Sequence, residues 1–236
     1  MAFVIAYVLT SKLGYYFALM PSGVSPIWPP AGLALAYTIL YGYSVLPVVF
    51  VGVAIAHALS GITLTAALIT ALGNTLEAGL GAYLCYHLIG KANPLDRPRD
   101  LSLFLLGPVC LSTMVGALIG VSAIILTGET KAFSFLSLWR VWWLGDIFGN
   151  LVVAPFLLAW IRRPPREWPV SRALEAALLG VLVVGVSELV FYDWLPAGYG
   201  HYPIEHLCIP ILLWATFRFG RRGCTTAILI ITTIAA

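Results

Sequence analysis

The chain has 236 residues, of which 61% are hydrophobic and only 10% are charged. A water-soluble domain carries about 25% charged residues, so this composition, with a mean hydropathy of +0.96, excludes a soluble globular fold. The net charge of +3 is too small to indicate a nucleic-acid-binding surface. We therefore expect a protein whose solvent is the lipid bilayer, with no nucleic-acid partner.

Long apolar runs, rather than the short alternating segments of a β-barrel, predict an all-α, polytopic transmembrane bundle. A helical span needs about 20 apolar residues. Proline, glycine and polar punctuation divides the chain into about nine predicted spans, at residues 2–20, 31–42, 45–60, 63–90, 101–127, 133–161, 173–192, 203–217 and 223–236. The second and third are short and predict a tight helical hairpin around 41–44, with Pro47 in the first turn of the returning helix.

Basic residues predict the orientation, because cytoplasmic loops retain lysine and arginine. Ten of the thirteen follow even-numbered spans: Lys91, Arg97, Arg99, Arg162, Arg163, Arg166, Arg172, Arg218, Arg221 and Arg222. The N-terminus is therefore predicted to be cytoplasmic. The ninth segment runs outward to Ala236 without a polar tail, so we expect residues 1–236 to be a C-terminally truncated membrane domain, followed in the parent protein by a last span and an output module.

The fourth segment carries an acid near its midpoint. Asn74 and Glu77 lie one helical turn apart, and Gly73, Glu77 and Gly81 share one row of the helix. A charge at this depth costs about 2.5–3.5 kcal/mol, so it requires a partner, a proton or a function. Small residues beside it allow another helix to approach closely.

The sixth segment repeats this arrangement, since Gly145 and Gly149 form a GxxxG motif and Asp146 and Asn150 lie in the adjacent row. Lys12, at the centre of the first segment, is a candidate counter-charge. The five candidates for a ligand or proton network are Lys12, Asn74, Glu77, Asp146 and Asn150. A network that only fixes helix packing is the other interpretation, and the residues alone leave both open.

A second set of residues is predicted to line an outer cavity: Trp28, His57, Arg140, Trp143, Glu188, Glu205 and His206. Around Trp28, residues 22–32 predict either a rigid interfacial anchor or a re-entrant lip over the cavity. His201 and Glu205 have a spacing that metals use, but a solvated rim is the preferred interpretation. We expect no metal or cofactor site.

No catalytic motif occurs in the chain: it lacks a nucleophile elbow, a phosphate loop, a zinc-helix motif and a kinase signature. The four cysteines, Cys85, Cys110, Cys208 and Cys224, occur singly in apolar stretches and are predicted to be core residues. We therefore expect the chain itself not to be an enzyme.

Four ordered motifs resemble the membrane-associated sensor one family of bacterial input domains. They are Ser25-Pro26-Ile27-Trp28-Pro29-Pro30-Ala31-Gly32-Leu33-Ala34-Leu35-Ala36, Gly73-Asn74-Thr75-Leu76-Glu77-Ala78-Gly79-Leu80-Gly81-Ala82-Tyr83-Leu84, Trp142-Trp143-Leu144-Gly145-Asp146 and Phe217-Arg218-Phe219-Gly220. Lys12 in Ser11-Lys12-Leu13-Gly14 also looks like the family pattern. The resemblance covers nearly the whole chain.

This resemblance implies a sensory input domain in the bacterial inner membrane, fused to a histidine kinase or to a cyclic-di-GMP enzyme. We expect it to perceive a small ligand or a partner membrane protein, and to form a homodimer through the output module. From the residues alone, a secondary transporter or solute-uptake subunit that uses the two midplane carboxylates is the alternative. A structural scaffold for a partner permease is a third possibility.

Overall fold

A computed structural model describes residues 1–16, 25, 27–90, 93–130, 133–161, 168–192 and 204–236. All regular structure within them is helical, which confirms the predicted all-α class. The eight helices are α1 (Ala2–Tyr16), α2 (Pro29–Tyr41), α3 (Leu46–Leu59), α4 (Leu64–Leu88), α5 (Pro98–Leu126), α6 (Phe135–Ile161), α7 (Val170–Phe191) and α8 (Cys208–Ala235).

The predicted hairpin between α2 and α3 is confirmed. Helix α2 ends at Tyr41, Gly42 follows with a φ of 81°, and the 3₁₀ turn Tyr43–Val45 leads directly into α3. A positive φ suits glycine, which has no Cβ to clash with the backbone. Pro47 lies in the first turn of α3, where its missing N–H has no helical partner to lose.

Helix α5 contains a π-helical stretch, Leu105–Leu111, that includes Pro108. Proline cannot donate the helical hydrogen bond and clashes with the preceding turn, and a wider turn accommodates both effects. Helices α5, α6 and α7 are each long and apolar enough to cross a bilayer, and Tyr43–Leu59 is apolar but shorter. Within the part of the chain that the structure describes, length and composition thus support three spans, and the predicted nine stay a prediction.

Helix α8 is broken at Gly220, where φ is 61° and ψ is −149°. A Cβ on Gly223 would touch the carbonyl oxygen of Ala215, and Ala215 and Ala227 belong to one buried cluster. A straight helix would hold these two alanines about 18 Å apart. The chain therefore bends back at Gly220, inside the boundary predicted between the eighth and ninth segments.

The chain forms two compact units, Met1–Leu158 and Ala159–Ala236. In the first unit, α4 packs against α2, α3 and α5, and α1 packs against α2 and α3. Residues of α6 join the same core, because Ala154 and Leu158 cluster with Leu35 of α2 and Cys85 of α4. In the second unit, α7 packs against α8 on both sides of the Gly220 break.

Candidate functional site

The two predicted acids meet inside the first unit. Glu77 of α4 and Asp146 of α6 are 3% and 1% exposed, and their carboxyl groups lie close enough to interact directly. Asn150 donates from Nδ2 to Glu77 Oε1 at 3.4 Å. Asn74, one turn before Glu77, is also buried. Four of the five predicted network residues therefore form one polar cluster, called here the acid cluster: Asn74, Glu77, Asp146 and Asn150.

Lys12 is not part of this cluster. Its side chain is exposed, whereas Ser11 and Gly14 on the neighbouring face of α1 are buried. Successive residues of a helix point about 100° apart, so a central position in the segment does not place a side chain on the inner face. The prediction that Lys12 is the counter-charge of the two acids is therefore wrong. The described basic residues of the first unit, Lys12, Arg97, Arg99 and Arg140, are all exposed.

Tyr7 of α1 takes the place that was predicted for Lys12. Its side chain is fully buried, and its phenol interacts with Asn74 and Trp28 and lies near both carboxyl groups. Sequence reasoning missed Tyr7 because a tyrosine in an apolar run carries no signal by itself. The buried residues of α1 recur at helical spacing, and their side chains become smaller along the helix: Phe3, Tyr7, Ser11 and Gly14. This pattern could have identified the inner face of α1, and with it Tyr7.

Glycines bring the helices close enough to bury the acids. A Cβ on Gly116 of α5 would collide with Glu77 Oε2, and a Cβ on Gly149 would collide with the carbonyl oxygen of Trp28. The Trp28 N–H donates to the Gly145 carbonyl at 2.9 Å. The GxxxG motif of α6 therefore binds the backbone that precedes α2 and places Asp146, next to Gly145, against α4.

Trp28 lies inside the bundle with an exposure of 6%, whereas an interfacial anchor would face the lipid headgroups. Its ring stacks on His57 with centroids 5.9 Å apart, and Trp142 stacks on His57 at 6.3 Å. Residues 17–24 and 26 of the preceding loop lie outside the described part, so the predicted lip itself is not tested.

His57 connects this aromatic stack to α1. Its Nδ1 and the Tyr15 hydroxyl are 3.0 Å apart, and its Nε2 is buried without a hydrogen-bond partner among the described residues. Trp142 interacts with Asp146, and Trp28 interacts with Tyr7. Each tryptophan therefore contacts His57 on one side and, on the other, Asp146 or its neighbour Tyr7.

The other predicted outer-cavity residues are distributed over both units. Arg140 is exposed, and Trp143 is half-buried and donates from Nε1 to the Cys110 carbonyl at 3.1 Å. Glu188 is half-buried and Glu205 and His206 are exposed, all in the second unit. His201 lies outside the described residues. The predicted cavity lining therefore divides between the two units.

Several oxygen atoms of the acid cluster have no hydrogen-bond partner among the described residues: Glu77 Oε2, Asp146 Oδ1 and Oδ2, Asn74 Oδ1 and Asn150 Oδ1. Buried polar atoms are normally paired, and unpaired ones mark strain, a functional role or a place for a bound water or ion. If both carboxyl groups were ionised, they would repel each other strongly, because they are close together in a medium of low dielectric. A proton shared by the two carboxyl groups, or a bound cation, would relieve that repulsion.

No group of three or more histidine, cysteine, aspartate and glutamate side chains able to hold a metal ion occurs among the described residues. All four cysteines are free, and Cys85 and Cys208 are buried. The first unit thus buries two carboxyl groups near a histidine on which two indole rings stack.

Comparison with known proteins identifies the family. No curated protein and no solved structure matches the chain significantly. The MASE1 family model matches residues 1–236, which is the whole chain. Domains of this family are membrane-associated sensory inputs of signalling proteins, typically histidine kinases and diguanylate cyclases, and are not catalytic themselves. The apolar helices α5, α6 and α7 agree with that setting, and the chain belongs to the MASE1 family of membrane sensor domains.

Proposed function

We propose that the chain is the multi-pass input domain of an inner-membrane histidine kinase or cyclic-di-GMP enzyme, and that its stimulus acts on the acid cluster. The observation that carries the proposal is the buried Glu77 and Asp146 pair with its unpartnered oxygens. A ligand can shift a receptor only by binding two packings with different affinity. A carboxyl pair that gains or loses a charge changes the packing energy of the helices that hold it.

The contacts of the cluster support a concerted response. Tyr7, Glu77 and Asp146 belong to α1, α4 and α6, and the Trp28 backbone that precedes α2 is hydrogen-bonded beside Asp146. A change in the separation of the two carboxyl groups therefore acts on several helices at once. We propose that a small ligand or a partner membrane protein produces this change, and that the parent protein transmits it as a homodimer through its cytoplasmic output module.

The first experiment compares Glu77→Gln, Asp146→Asn and the double variant in the parent signalling protein. Folded yield is measured by gel filtration of the detergent-extracted protein, and output by kinase or cyclase activity in membranes. We expect near-normal yield, altered output in each single variant, and a non-additive double variant with a coupling of about 1 kcal/mol or more, because the two groups share one site.

The matched controls are Asp100→Asn and Lys12→Gln. Asp100 is a buried acid in the first turn of α5, and Lys12 is exposed on α1. Neither should change the output. A cluster that only fixes helix packing would give output that falls in proportion to folded yield, and that result would contradict the sensory proposal.

The buried carboxyl pair also suits a second function, a secondary transporter or uptake subunit that couples to a cation. Its test is uptake of radiolabelled solutes into proteoliposomes that contain the purified chain. Uptake that requires Glu77 and Asp146 would favour transport over sensing.

A further inference from the structure

The second unit contains a groove between α7 and α8 with a cavity volume of about 220 Å³. Pockets that enclose a whole drug-sized ligand have roughly 300–1,000 Å³, so this groove holds only part of a larger occupant. On α7 the groove extends from Ala176 to Val183, and on α8 from Arg222 to Ile230, which corresponds to about 10–12 Å of helix. A groove of this shape suits an extended hydrocarbon chain.

The two ends of the groove differ in chemistry. Leu179, Val183, Ala227 and Ile230 make its deep part apolar. The other end is lined by aromatic rings and one charged side chain, namely Trp160, Trp168, Phe219 and Arg222. The occupant that matches such a lining is amphipathic.

Arginines stand over the aromatic end. The Arg222 guanidinium lies 5.1 Å from the Trp160 ring centroid, and that of Arg172 lies 5.7 Å from Trp168 and 5.8 Å from Phe219. Arg172 donates from Nη2 to the Arg218 carbonyl, and its buried Nε has no hydrogen-bond partner among the described residues. An arginine guanidinium stacks well on aromatic rings, and its planar set of N–H groups matches the geometry of a phosphate.

The charge at this end is positive. The described residues beside the Gly220 bend include four arginines, Arg172, Arg218, Arg221 and Arg222, and one acid, Glu175, whose carboxylate is paired with Arg218 at 2.6 Å. Helix α7 also begins here, and a helix N-terminus favours negative charge. In the orientation proposed above, these residues face the cytoplasmic leaflet, where anionic lipids are concentrated.

We propose that this groove binds one anionic phospholipid, with an acyl chain between α7 and α8 and the phosphate at Arg172 and Arg222. The site lies outside the acid cluster and does not depend on its sensory role. Arg222 is also hydrogen-bonded to the Ala159 and Trp160 carbonyls, so the lipid joins residues at the end of α6 to α7 and α8 within the second unit.

Two glycines of α7 give a matched test. A Cβ at Gly180 or at Gly185 would meet nothing within 4 Å, but only Gly180 lines the groove. The side chain of Gly180→Leu would therefore fill the groove without forcing the backbone apart. Gly185→Leu makes the same change on the same helix outside it.

The experiment reconstitutes the full chain in vesicles of equal phosphatidylglycerol and phosphatidylcholine, extracts it in mild detergent and counts retained lipids by native mass spectrometry. We expect wild type and Gly185→Leu to retain one phosphatidylglycerol, and Gly180→Leu to retain little. Arg172→Gln and Arg222→Gln should each lower the preference for phosphatidylglycerol about fivefold, which is the effect of roughly one surface arginine. Arg99→Gln, an exposed arginine of the first unit, should not.

Equal retention of the two lipids by the wild type would overturn the proposal, as would equal losses in Gly180→Leu and Gly185→Leu. Absence of any retained lipid would also overturn it. Gel filtration of each variant confirms that it is folded, and an unfolded Gly180→Leu variant would be replaced by Gly180→Val at the same position.

Discussion

At the scale of single residues, the acid cluster depends on glycines as much as on acids. Asp146 reaches the core because Gly145 and Gly149 accept the Trp28 backbone against α6. Glu77 is buried because Gly116 leaves room for its carboxyl group. Polar groups inside a membrane protein are tolerated where close packing gives them partners, and these glycines supply that packing.

Gly149→Ala is predicted to destabilise the first unit. The new methyl group would collide with the Trp28 carbonyl, which is held in place by its neighbouring N–H bond to Gly145. Overpacking of this kind costs about 1–3 kcal/mol. The apparent melting temperature in detergent should fall clearly. Gly185→Ala, where the Cβ meets open space, should leave it unchanged or raise it, and equal behaviour of the two variants would contradict the packing argument.

Much of this cluster could be predicted from sequence, because an acid, an amide and small residues at helical spacing in an apolar run are rare and costly. The two motifs therefore predict that Glu77, Asn150 and Asp146 belong to one polar network. The sequence does not predict that Tyr7, rather than Lys12, faces this network. Both lie in the same apolar run, and only the packing of α1 against α2 and α3 determines which of them faces inward.

At the scale of helices, the ends are joined by specific polar contacts. Thr63 caps α4, because its hydroxyl accepts from the Ala66 N–H at 3.3 Å, and its own N–H donates to Glu129 Oε1 at 2.8 Å. Glu129 follows α5, so one carboxylate links the start of α4 to the end of α5. Hydrogen bonds from the Thr63 hydroxyl and N–H lower the pKa of Glu129.

This contact is predicted to be sensitive to pH. A carboxyl group whose pKa is lower in the folded state stabilises the fold above its unfolded pKa, and that stabilisation is lost as the pH falls through the folded pKa. Glu129→Gln should therefore lower the melting temperature at about pH 7, and this difference should shrink as the pH falls below the usual glutamate pKa of about 4.3. Glu205→Gln, in the second unit, is the control. An undiminished difference at low pH would exclude a charge-dependent cap.

The ends of helices could be predicted from the sequence where a proline or a glycine marks them. Pro47 and Gly42 define the hairpin of α2 and α3, and Gly220 divides the last run. The π-helical stretch around Pro108 was not predicted. A proline in an apolar run signals a kink or a break, and neighbouring helices determine which form the chain adopts.

At the scale of the whole chain, the family match and the three long apolar helices agree on a membrane sensor domain. The other predicted spans correspond to helices that are shorter or less apolar, so their predicted number rests on the alternation of basic loops. That alternation makes a specific claim about sidedness: loops after odd-numbered spans face outward, and loops after even-numbered spans face the cytoplasm.

Cysteine labelling tests this orientation. Ser60 follows α3 and Ser134 precedes α6, whereas Asp96 and Arg99 lie around the start of α5, and all four side chains are exposed. With a membrane-impermeant maleimide on intact cells, we expect Ser60→Cys and Ser134→Cys to be labelled above the wild-type background. Asp96→Cys and Arg99→Cys should be labelled only after the membrane is opened.

The reverse pattern would place the N-terminus outside, and it would also move the arginines of the α7 and α8 groove away from the anionic leaflet. Labelling of all four positions on intact cells would contradict a chain that crosses the bilayer between α3 and α5. The same four variants therefore test the sidedness and, through it, the leaflet from which the groove draws its lipid. The acid cluster is independent of this outcome, because its contacts are made within one unit and hold in either orientation.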